Sequence, residues 1–228
     1  MESSDAELFQ QARQELSSAV IGDAMDKMGF QHQFLPATIM PLDRAMVLCG
    51  RAMPVLQADF FEESIHGSKN PISAWPYGLM LDALDELKPN EVYVSTGASP
   101  SYALWGELMS VRAMHCGAAG AVLDGYSRDT KGILGLGFPT FSRGGYAQDQ
   151  AARGKVIDFR VPIQIGQAHI TPGDLIFGDL DGLCVVPQMA EREVLNAAFE
   201  KVHQLKYVSQ ALENGMTAKE AFTTYGII

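Results

Sequence analysis

The stretch ALWGELMSVRAMHCGAAGAVLDGYSRDTKGILGLGFPTFSR, residues 103–143, decides the fold. It sets a cluster of charged residues, among them Glu107, Arg128 and Asp129, in glycine-rich and otherwise apolar surroundings. Over 102–116 the apolar residues Leu104, Leu108, Val111 and Met114 recur at helical spacing, which predicts a helix. Gly117 is placed to cap it, because glycine enters the left-handed conformation without a side-chain clash. Residues 121–124 predict a short buried strand, and 91–96 (EVYVST) alternate as a strand does. Together 92–124 predict a β-α-β unit with parallel strands and a right-handed crossover. The loops after such strands share one edge of the sheet, where open α/β sheets bind ligands. That arrangement sets 97–107 beside 125–129.

The two loops bring complementary chemistry. One supplies a helix N-terminus, whose free N–H groups and dipole favour an anion. The other supplies the Arg128 guanidinium, suited to a carboxylate, and the Asp129 carboxylate, suited to a hard cation.

Glu107, twenty intervening residues and then Arg128-Asp129 resemble the acid-x20-Arg-Asp signature of the RraA-like family, which includes class II 4-hydroxy-4-methyl-2-oxoglutarate aldolases. Further matching segments run along the chain: 23–29 (DAMDKMG), 49–52 (CGRA), 87–89 (LKP), 137–139 (GFP), 172–174 (PGD), 178–182 (GDLDG) and Tyr225-Gly226. The resemblance implies a swivelling β/β/α-type sandwich, a mixed sheet flanked by helices, assembled as homotrimers or dimers of trimers with sites where subunits meet. It also implies a divalent-metal-dependent lyase that cleaves a C–C bond of a small 2-oxo acid. The reaction would be retro-aldol cleavage of a 4-hydroxy-2-oxo diacid or decarboxylation of oxaloacetate, through an enolate stabilised by the metal. In that scheme Asp129 holds the cation, magnesium or manganese for an oxygen-ligated site. Arg128 pairs with oxygens on which charge grows. The backbone N–H groups of Gly106, Glu107, Leu108 and Met109 hold the substrate carboxylate, and Glu107 acts through metal-bound water and passes a proton.

Two departures from the aldolase pattern stand out. Aspartate is usual where this chain has Glu107, and the carboxylate that some members lend from a neighbour's C-terminal helix has only Glu200 as a candidate. The family's non-catalytic branch, which binds a ribonuclease, lacks the Arg-Asp pair that this chain keeps. A metal enzyme of the same fold acting on another substrate, such as a sugar-acid derivative, is the third reading. No glycine-rich nucleotide loop of a methyltransferase follows a first strand.

Composition limits the alternatives. At 228 residues and 47% hydrophobic, the chain has enough apolar surface for a full core and predicts a single domain over 1–228. A formal charge of -10 opposes binding to phosphate backbones, so no nucleic-acid partner is expected. The N-terminus lacks a basic region followed by an apolar one, and no apolar run approaches the ~18 residues of a spanning helix. A soluble, cytoplasmic protein with no membrane partner is expected. Cys49, Cys116 and Cys184 are far apart and in apolar settings, which predicts reduced, mostly buried thiols. A Cys116 nucleophile beside His115 is the minor alternative.

The remaining segments read as follows. Ser4-x-x-Glu7 predicts a capping box opening a helix that Ser17-Ser18 divides, with helical pattern continuing to Gly29. Within 34–60, strands are predicted at 46–49 and 52–56, broken by Pro36, Pro41 and Pro54. Residues 60–77 have no period; His66 and Trp75 either reach over the site or sit on a surface excursion. Short helices are predicted at 78–87 and 130–136, a strand at 140–142, a polar loop at 146–154, and antiparallel hairpins over 155–187 with turns at 172–174 and 179–182. A long helix follows at 189–214, then a last one at 217–224 with Thr217-x-x-Glu220 as its box. Tyr126 either lines the pocket or packs; His32, His169 and His203 are expected at the surface or in structural roles.

Overall fold

The structure is a computed structural model that describes residues 5–61 and 69–227. Its helices are α1 Asp5–Glu15, α2 Ser18–Lys27, α3 Met80–Asp85, α4 Glu107–His115, α5 Thr130–Leu136, α6 Glu191–Glu213 and α7 Ala218–Tyr225. Its strands are β1 Met40–Pro41, β2 Leu48–Asp59, β3 Glu91–Thr96, β4 Ala103–Trp105, β5 Gly120–Leu123, β6 Tyr126–Ser127, β7 Thr140–Ser142, β8 Gly154–Phe159, β9 Ile163–Ile165, β10 Ala168–Ile170, β11 Leu175–Asp179 and β12 Gly182–Val186. The main sheet runs β1-β7-β5-β3-β2-β11-β12, with β8 also paired to β2. Pairing is parallel from β2 through β3 and β5 to β7, and antiparallel at β1, β8, β11 and β12. This is the expected mixed sheet flanked by helices. The predicted β-α-β unit is present, with Val92 beside Gly120 in parallel register.

Strand alternation divides the core. Val92, Val94 and Val122 face a cluster with the β9–β10 hairpin and Ile39, while Tyr93, Ala121 and Leu123 face α3 to α5. The strands are apolar on both faces because both are covered, as parallel sheets require. A third cluster packs α1, α2 and α6 against Cys49, Phe177 and Cys184. Ser17 does divide the first helical stretch: its hydroxyl accepts from the Val20 N–H and caps α2. The proposed Ser4 cap and His66 lie outside the described residues. No helix among the described residues is long and apolar enough to cross a membrane.

Four expectations are corrected. The helix predicted from 102 begins at Glu107, because residues 103–105 form a buried strand whose partners lie elsewhere: Ala103 N–H donates to Gln148 O (2.8 Å) and Trp105 O accepts from Arg128 N–H (2.8 Å). Its apolar stripe faces outward, with Leu108 82% exposed and Val111 and Met114 also exposed. The inward positions are Ser110 and Ala113, small enough for close packing, and the Ser110 hydroxyl accepts from Trp105 Nε1 (2.7 Å). The two strands predicted around Pro54 are one. Along that edge β2 pairs with β11 through Arg51 and with β8 from Val55 onward, so Pro54 falls in the gap and its missing N–H costs no ladder bond. In 155–187, β8 pairs with β2 rather than with a hairpin neighbour, whereas β9–β10 and β11–β12 are hairpins.

Candidate active site

The parallel pairing of β4 with β6 brings the two predicted loops together. Asp124, just past β5, ties the strand ends: its carboxylate accepts from Thr96 Oγ1 (2.9 Å) and from Arg143 (2.6 Å to Nη2). The chain then passes through β6 to Arg128 and Asp129 at the start of α5. Asp129 holds φ +55°, ψ +35°, a left-handed conformation that aspartate tolerates better than most residues. Its backbone carbonyl accepts from Gly132 and Ile133, so α5 itself maintains this turn.

Opposite stands Gly106, the N-cap of α4, in extended conformation and with no side-chain cap on the helix. A Cβ there would lie 2.8 Å from Asp129 Oδ2, so only glycine permits this approach. The first-turn N–H groups of α4 have no partner within the helix and give this end its positive character.

A cleft of about 120 Å³ opens between these elements, lined by Gly106, Leu108, Met109, Arg128, Asp129 and Asp149 together with Tyr77, Met80 and the 103–105 strand. Glu107 does not line it. A second hollow contains Glu107 with Asp129, Thr130, Lys131 and Gly132, so Asp129 is common to both. The Glu107 carboxyl lies against Gly132, where a Cβ would stand 2.2 Å from it. Arg128 ion-pairs with two carboxylates, Asp149 through Nη1 at 2.9 Å and Asp129 through Nε at 3.6 Å. With one guanidinium and two carboxylates, the cleft's ionised side chains sum to one negative charge, which opposes an anionic ligand unless a cation joins them.

The donor set bears on which cation fits. Among the described residues no three His, Cys, Asp or Glu are grouped to hold a metal. With Asp149 paired to Arg128 at 2.9 Å, what is offered is the half-exposed Asp129 carboxylate, with Glu107 in the same hollow. Oxygen donors this few fit a small hard cation that keeps most of its water, as magnesium does with one or two carboxylates.

Asp149 and the buried Gln150 are site residues that the sequence reading missed. Both sit in the 146–154 segment, correctly read as a loop, where no period or motif marks a residue as facing a cleft. Tyr77 lines the cleft; Trp75 is half-exposed and does not. Tyr126 packs against Tyr146, ring centroids 5.5 Å apart. Glu200 is exposed on α6 and lines neither hollow, and His32, His169 and His203 are exposed. Cys116 is part-buried with Leu84 O as its 3.9 Å neighbour, while Cys49 and Cys184 are fully buried free thiols.

Comparison with known proteins agrees with this fold. A family model described as RraA-like (Aldolase/RraA) matches residues 18–185. A Halalkalibacterium halodurans protein provisionally named a 4-hydroxy-4-methyl-2-oxoglutarate aldolase is 33% identical over 144 residues, 63% of this chain and 68% of its own length. Protein DlpA of Legionella pneumophila is 26% identical over 92% of this chain, which spans only 32% of DlpA. The crystal structure of an uncharacterized protein from Pseudomonas syringae pv. tomato superimposes with a TM-score of 0.83 at 26% identity, covering 99% of this chain and 96% of that one.

Proposed function

The chain belongs to the RraA-like family, and on that premise we propose that it is a divalent-metal-dependent lyase acting on a small 2-oxo acid. The observation that carries this reading is the meeting of Arg128 and Asp129 with the uncapped N-terminus of α4 in one cleft. The reactions would be retro-aldol cleavage of a 4-hydroxy-2-oxo diacid or decarboxylation of oxaloacetate.

In both reactions the C3–C4 bond breaks and its electron pair moves toward the 2-oxo oxygen. The 4-hydroxyl proton leaves in the first case, and carbon dioxide leaves in the second. A magnesium or manganese ion held by Asp129, with Glu107 reaching it through water, would supply Lewis-acid stabilisation of that charge. Arg128 would pair with the 2-oxo and carboxylate oxygens of the substrate as charge develops on them. The N–H groups at the start of α4, from Gly106 to Met109, would hold the substrate carboxylate. Glu107, exposed at the adjoining hollow, would take or return the proton through water. A homotrimer or dimer of trimers belongs to the same reading; the exposed stripe of Leu108, Val111 and Met114 beside the cleft is a surface that assembly would cover.

The test is pyruvate release from oxaloacetate and from 4-hydroxy-4-methyl-2-oxoglutarate with magnesium or manganese, with chelator, and with Asp129→Ala. Release that chelator and the substitution both abolish is the expected result. A folded protein that binds metal but releases nothing overturns the pyruvate-lyase reading in favour of another substrate, such as a sugar-acid derivative. Failure to bind metal, with inhibition of a ribonuclease, would point to a regulator.

A further inference from the structure

Asp149 reaches Arg128 from a loop whose backbone is pinned on all sides. Gln148 O accepts from Ala103 N–H (2.8 Å), Asp149 O accepts from Arg153 Nη1 (3.0 Å), and Gln150 O accepts from Arg153 N–H (2.7 Å) and Gly154 N–H (3.0 Å). The buried Gln150 side chain donates to Gly154 O (3.3 Å). Only the Asp149 carboxylate is lightly held: Oδ2 accepts from Ala151 N–H at 3.2 Å and Oδ1 faces Arg128 Nη1 at 2.9 Å. Both partners of that ion pair have side chains 39% exposed. Rotating this one side chain frees a guanidinium edge without moving the loop.

We propose that Asp149 is an internal occupant of the anion site: its carboxylate sits where a substrate carboxylate must bind Arg128, and substrate enters by displacing it. The proposal deepens the lyase reading and rests on its assignment of Arg128 as the anion-binding group. It makes Asp149 a specificity-determining residue. A ligand must carry a carboxylate, since a neutral group gains too little from Arg128 to displace a charged rival. The barrier is modest, because a half-exposed ion pair contributes little in water.

Oxalate, a planar dianion, titrated calorimetrically into the magnesium-loaded full chain tests this without depending on turnover. Asp149→Asn is expected to bind oxalate about two- to fivefold more tightly than the wild type, a gain in the range of one exposed ion pair. The gain should vanish when Arg128→Gln is added, which separates release of Arg128 from a general loss of negative charge. Asp149→Glu should bind close to wild type, and Asp149→Ser, checked by its thermal midpoint, serves if the asparagine variant fails to fold. Binding by Asp149→Asn where the wild type shows none would also support the proposal. Unchanged or weaker binding, a gain that survives Arg128→Gln, or no binding by either protein would overturn it. Tighter oxalate binding without pyruvate release would keep the Asp149 assignment and discard the lyase reading; turnover without tighter binding would do the reverse.

Discussion

Gly106 is where the cleft is tightest, and the reason is local geometry. Its φ of -149° is open to any residue, so alanine there meets no backbone strain; its Cβ would instead press on Asp129 Oδ2 at 2.8 Å. The far end of an exposed carboxylate can swing away, so the fold should tolerate Gly106→Ala while the proposed cation site at Asp129 should not. We expect a thermal midpoint within about 3 °C of the wild type, the shift of roughly 1 kcal/mol in a domain of this size. Magnesium affinity should fall about tenfold or more, as when a supporting partner of a metal ligand is lost. A thermal melt beside a metal titration reads both, and unchanged affinity would show that Asp129 is not the ligand.

At the scale of elements, α1 depends on a charged clasp as well as on its apolar face. Arg51, in β2, lies 5.0 Å from the Phe9 ring centre, donates to both Asp5 oxygens (2.7 and 2.9 Å) and also engages Glu191 at the start of α6. The Arg51 hydrogen bond holds the Asp5 carboxyl below its ordinary value against the opposing effect of burial. The sign follows: a depressed folded value stabilises the fold above the unfolded pKa of about 3.9 and is lost as pH falls through the folded one. Asp5→Asn should therefore lower the thermal midpoint by about 1–3 °C at pH 7, as for an exposed pair. The difference should narrow below about pH 4, and a gap of constant size down to pH 2 would show that charge is not what Asp5 contributes.

For the whole molecule, the three cysteines report on how deep the sheet lies. Cys49 in β2 and Cys184 in β12 are enclosed between the sheet and the α1–α2–α6 layer, and burial pushes both thiols up, Cys49 to about 12. The reactive thiolate is thus suppressed as well as sterically shielded. Iodoacetamide at pH 8 followed by peptide mass spectrometry should label Cys116 in the native protein and the other two only under unfolding conditions. Native labelling of Cys49 would contradict the packing of that layer.

What the sequence by itself determined was what neighbouring residues encode. The β3–α4–β5 unit, the Ser17 break, the hairpin turns and the Thr217/Glu220 capping box depend on periods, caps and turn chemistry within a few residues. The spacing of Glu107 from Arg128-Asp129 was equally legible, because a β-α-β unit returns the chain to the same sheet edge. Only the tertiary structure decided the rest. The outward face of α4 follows from Trp105 and Ser110 meeting beneath it, and the continuity of β2 through Pro54 follows from where β11 ends and β8 begins. Asp149 reaches Arg128 because a loop with no periodicity is pinned to β4 by Ala103. Each of these rests on partners distant in the chain, whose pairing is settled by competition for burial and hydrogen bonds across the whole fold rather than by any local pattern.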